Sequence, residues 1–70
     1  MNGIMLLRAL RRLASRRGWV IEVRAGKGSH MRVILNGLMT VVPQHRADLK
    51  RGTFRAILKQ LALTETDLEE

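Results

Sequence analysis

The chain has 70 residues, one proline, no cysteine and a net charge of +7, from 13 Lys and Arg against 6 Asp and Glu. That length makes one domain, residues 1–70, with a modest core. The absence of cysteine excludes disulfides and Cys-based zinc sites, and no run approaches the roughly 20 apolar residues of a membrane span.

The charge is unevenly spread. Glu65, Asp67, Glu69 and Glu70 fall at the very end, whereas the first 64 residues carry all 13 basic side chains and two acidic ones, Glu22 and Asp48, hence +11. A basic body of this size suits an anionic partner: nucleic acid first, an acidic protein second, a membrane surface third.

Leu6, Leu7, Leu10, Leu13 and Ala14 share one stripe at helical spacing, which predicts a helix over residues 3–17. Asn2 is a candidate N-cap, Arg16 and Arg17 suit the negative end of the dipole, and Gly18 suits the residue past the end. Arg8, Arg11 and Arg12 lie on the opposite face, free to meet phosphates or solvent. "WVIEVR", residues 19–24, is rich in strand formers. A glycine loop, "AGKGSH", follows.

"MRVILNGLMTVV" centres on Asn36-Gly37, the signal of a two-residue type I′ hairpin. The predicted strands cover about 30–35 and 38–42, with Leu35 opposite Leu38. This register turns Met31, Val33, Leu35, Leu38, Thr40 and Val42 toward the helices. It puts His30, Arg32, Ile34, Met39 and Val41 on the other face, where Ile34, Met39 and Val41 form an apolar patch fit for a partner. Pro43 ends the sheet, and "QHRADLKRG" is a basic connection. In "TFRAILKQLAL", Phe54, Ile57, Leu58 and Leu61 mark an amphipathic helix, with Arg55, Lys59 and Gln60 outward. The amides at its start, near Lys50, Arg51 and Thr53, suit a phosphate. Thr64 with Asp67 makes a capping box for a last short turn. The expected class is α+β, in the order α-β-β-β-α: a three-stranded antiparallel sheet with two helices on one face, the layout of the double-stranded-RNA-binding domain.

"GWVIEVRAGKGSH", "TVVPQH" and "LKRGTFRAILKQLAL" together resemble the HicA family, toxins of type II toxin–antitoxin pairs. The resemblance runs through nearly the whole chain in the same order. It implies a ribosome-independent mRNA interferase whose essential histidine is His30, preceded by the motif glycine Gly28. It also implies a HicB-like antitoxin covering the active face, and a toxin that is monomeric when free and hetero-oligomeric with its antitoxin. The absence of cysteine fits a reducing, cytoplasmic setting, and no membrane partner is expected.

The residues themselves fit RNA cleavage by attack of the ribose 2′-hydroxyl on the adjacent phosphate. That route needs a base, an acid and donors to the phosphoryl oxygens. An imidazole is the side chain suited to taking and giving a proton near neutral pH, so His30 can fill one proton-transfer role. Lys27, Arg32 and the amides of Gly28 and Ser29 can hold a phosphate, with Lys50, Arg51 and Arg55 as further cations. His45 is either a second acid/base group or a loop histidine that touches phosphate. Two-metal hydrolysis needs clustered carboxylates, and outside the tail only Glu22 and Asp48 exist. A metal-independent cut leaving a 2′,3′-cyclic phosphate, with no cofactor, is therefore expected. "AGKGS" is no Walker loop, because the first glycine is misplaced and a strand follows. The competing readings are a non-catalytic RNA-binding module, using Arg8, Arg11, Arg12, Lys50, Arg51, Arg55 and Lys59 on phosphates, and a protein whose main surface serves a partner.

Overall fold

The computed structural model describes residues 1–69. Helix α1 covers Gly3–Arg17, strands β1, β2 and β3 cover Ile21–Ala25, His30–Leu35 and Leu38–Pro43, and helices α2 and α3 cover Arg51–Gln60 and Glu65–Glu69. The sheet is an antiparallel meander in the order β1-β2-β3. The α+β class and the element order are those expected.

Local chemistry explains the ends of α1. The Asn2 side chain accepts from the Met5 N–H at 2.9 Å, and Gly18 closes the helix in the left-handed region. Leu6, Leu10 and Leu13 are fully buried against Val33, Leu35 and Val42 of the sheet and Ile57, Leu58 and Leu61 of α2 and its end. Each such leucine contributes about 1.5–3 kcal/mol relative to exposure. Trp19, Ile21 and Val23 pack at the margin of this core.

The Asn36-Gly37 hairpin forms as read, with φ of 50° and 84°, and pairs Leu35 with Leu38. Met31, Val33, Thr40 and Val42 face the helices in that register. Leu38 departs from expectation: it is 40% exposed at the turn, where it lines an open hollow with Ala56, Ile57 and Gln60 of α2. Thr40 is buried, and its hydroxyl is satisfied by Gln60 Oε1 at 2.5 Å, so this end of Gln60 turns inward rather than outward. In a two-residue hairpin the first pair is hydrogen-bonded, so Met39, Val41 and Pro43 turn their backbones away from β2. Pro43 thus occupies a position where a missing N–H costs no ladder bond.

Helix α2 starts at Arg51, before the expected Thr53, and ends at Gln60. Its stop is a Schellman turn. Leu63 N–H bonds Leu58 O and Ala62 N–H bonds Lys59 O, with Ala62 left-handed at φ 56°. Leu58 and Leu63 are both buried beneath it.

The acidic tail is structural up to Asp67. Its carboxylate accepts from the Thr64 N–H at 2.7 Å and from Arg17 at 2.8 Å, joining α3 to the end of α1. The Thr64 amide first, and then Arg17, hold this carboxyl below its ordinary 3.8. A proton therefore binds the folded form more weakly. The stabilisation is complete above pH 3.8 and fades as pH falls through the lower folded value. Asp67→Asn is expected to melt below wild type at neutral pH, with the gap closing in acid; thermal melts across pH check this.

Candidate active site

The β1–β2 loop is a tight turn. His30 N–H bonds Lys27 O at 3.3 Å, and Gly26 N–H bonds His30 O at 2.9 Å. Gly28 takes a positive φ of 65° at the first central position of that turn, where a side chain would be strained. The turn delivers His30 as the first residue of β2, exposed at the end of the open face of the sheet.

Gly26, Lys27, Gly28, Ser29, His30, Arg32 and Val41 line a shallow cavity of about 560 Å³. The lining holds two cations and no carboxylate, as an anionic ligand requires. His30, Lys27, Gly28, Ser29 and Arg32 are thus brought together. A second cavity of about 350 Å³ is lined by Pro43, His45, Ala47, Asp48, Leu49, Lys50 and Thr53.

The two histidines meet between these cavities. Their ring centroids are 5.9 Å apart and the ring planes are nearly perpendicular, at 85°. Ser29 Oγ lies 3.4 Å from His45 Nδ1, and Gln44 N–H donates to Ser29 O at 2.8 Å. The residues preceding each histidine are therefore bound to each other. The 16-residue separation of Ser29 and His45 gave no hint of this. The path of the connection after Pro43 depends on distant contacts, among them the Asn2–Asp48 bridge and Leu49 N–H to Met1 O.

The remaining cations are more dispersed. Lys50 joins His45 in the second cavity. Arg51 pairs with Glu65 at 3.5 Å, and Arg55 lines a separate hollow with Lys59, Thr64 and Glu65. Arg8, Arg11 and Arg12 are exposed on α1. On the open sheet face Ile34 stands opposite Met39, and Arg32 opposite Val41. Met39 and Val41 are 54% and 43% exposed, and Ile34 is half-buried. Val41 belongs both to this patch and to the His30 cavity. Among the described residues, no three His, Cys, Asp or Glu side chains are placed to share a metal ion, and no helix is long and apolar enough to cross a membrane.

A family model described as "HicA toxin of bacterial toxin-antitoxin" matches residues 7–63. The chain belongs to the HicA toxin family. It is also 46% identical, over 46 residues, to a probable mRNA interferase HicA of Pseudomonas fluorescens (strain Pf0-1); the alignment covers 64% of this chain and 77% of the relative. The match to the HicA family takes in both histidines and every residue of the two cavities between them.

Proposed function

We propose that the chain is the toxin of a toxin–antitoxin pair and an endoribonuclease that cuts mRNA in the cytoplasm, with His30 moving a proton at the scissile phosphate. The observation that carries this reading is the coincidence, in one cavity, of an exposed imidazole, two cations and a turn rich in backbone amides. Lys27 and Arg32 neutralise the phosphate, and the Gly28 and Ser29 amides suit its oxygens. The named relative and the family support the same activity.

Cleavage proceeds through the neighbouring ribose 2′-hydroxyl, without a metal. Labelled single-stranded RNA incubated with the chain in excess chelator is expected to yield a 2′,3′-cyclic phosphate and a 5′-hydroxyl. A 2′-deoxy substitution at the cut site should stop the reaction. Loss of cleavage in chelator, or 5′-phosphate products, would overturn the mechanism. Binding without cleavage would favour the RNA-binding module, in which the exposed arginines of α1 and the cations of α2 hold phosphates.

A HicB-like antitoxin sits on Ile34, Met39 and Val41. Because Val41 also lines the His30 cavity, a partner seated there excludes RNA from it. The toxin is a monomer when free and joins a hetero-oligomer when inhibited.

A further inference from the structure

We propose that His45 is the second proton-transfer group of the reaction, working opposite His30 across one phosphate. This rests on the ribonuclease reading above.

In-line displacement places the attacking and leaving oxygens on opposite sides of phosphorus. One base and one acid must therefore flank a single phosphate. A lone histidine on a flat sheet supplies one of them. The structure supplies a second imidazole with its ring centroid 5.9 Å from the first, both rings exposed to an incoming ligand. The perpendicular arrangement keeps the rings from stacking, so the nitrogen-bearing edges of both can meet oxygens of one phosphate lying against the pair. The cations divide in the same way, Lys27 and Arg32 beside His30 and Lys50 beside His45. The second cavity also holds Asp48, whose carboxylate is paired with the Met1 amino group at 3.3 Å, so an RNA backbone crossing both cavities meets Lys27 and Arg32 on one side of the reacting phosphate and Lys50 on the other.

The pair is built, rather than left to two loose side chains. The Gln44 N–H to Ser29 O bond adds one more rung beyond the His30–Pro43 pairing and fixes the two backbones at the histidines. Ser29 Oγ engages His45 Nδ1, which leaves Nε2 for substrate. A hydroxyl both donates and accepts, so Ser29 serves His45 in either tautomer. With the proton on Nδ1, Nε2 can take up or release a proton while Ser29 Oγ goes on accepting from Nδ1.

The atoms balance without a further reactant. The 2′-oxygen bonds to phosphorus and gives its proton to one imidazole. The bond from phosphorus to the 5′-oxygen breaks, and that oxygen takes a proton from the other, protonated imidazole. Exchange with water restores both rings.

The test uses His30→Gln and His45→Gln with two oligonucleotides, each carrying one ribonucleotide at the cut site. One has the natural 5′-oxygen leaving group and the other a 5′-bridging sulfur, which departs without a proton. Thermal melts accompany the rates, and both side chains are exposed, so the fold should survive. On the oxygen substrate each variant is expected to slow by about 10²–10⁴-fold, and His45→Gln should lose one limb of the bell-shaped pH profile. On the sulfur substrate one of the two variants should recover most of the wild-type rate, which marks its missing histidine as the acid. A His45→Gln enzyme that keeps both limbs, or a pair of variants that do not discriminate between leaving groups, overturns the assignment and leaves His45 a positioning residue. A wild-type chain that cuts neither substrate overturns the ribonuclease reading as well.

Discussion

His30→Ala is expected to lower RNA cleavage by about 10²–10⁴-fold, the usual contribution of a positioned proton-transfer group. The fold should be unaffected. The His30 side chain is exposed, and its backbone bonds to Lys27 and Gly26 do not need the ring. Binding should survive too, since Lys27, Arg32 and the turn amides remain to hold phosphate. Single-turnover cleavage in chelator, thermal melting, and affinity for an uncleavable 2′-deoxy analogue separate these quantities. A fall in melting temperature that tracked the fall in rate would assign the loss to structure. The affinity should drop steeply with salt in both proteins, because cations release counterions from the backbone they bind.

Gly3→Ala should be the most destabilising single methyl added to this chain. A Cβ at Gly3 would stand 1.6 Å from the Pro43 carbonyl oxygen and 2.8 Å from its carbon, so backbone must move. Overpacking typically costs 1–3 kcal/mol, and a clash with main chain puts this case near about 3 kcal/mol. For a domain of 70 residues, total stability is on the order of 4–10 kcal/mol, so the melting temperature should fall by more than about 10 °C. Gly52→Ala is the control. Nothing lies within 4 Å of its Cβ position and it sits inside α2, so the change should be neutral or stabilising. Chemical denaturation of the two variants checks the contrast. Because the strained contact falls on Pro43 and Gln44, Gly3→Ala should also shift His45, and its cleavage at a temperature where it is still folded should drop.

Much of this fold was legible because the signals were local. Asn2 and Gly18 bracket α1, Asn36-Gly37 sets the hairpin and therefore every face in β2 and β3, and Thr64 with Asp67 starts α3. The end of α2 was harder to see. Its left-handed residue is Ala62, which carries none of the glycine or asparagine signal on which such a reading relies. Leu38 followed the alternation yet stayed exposed, since periodicity assigns a face but not how closely the opposing helix packs on it. The candidate site divides the same way. His30 and its turn lie within a few residues of each other and could be read together. The approach of His45 could not be, because residues 44–50 have no regular period, and their course is set by Gly3, Met1 and Ser29 from elsewhere in the chain.

Pro43 has a consequence for how the molecule keeps company with itself. β3 is an edge strand beside an exposed apolar patch, a combination that invites one copy to extend the sheet of another. A strand arriving at that edge would find outward N–H groups at Met39 and Val41, and then a proline ring where the next donor would be. The outward carbonyls remain, but the edge has lost one of its three outward donors. The ring thus blunts the open rim of the sheet and makes it a poorer template for another strand.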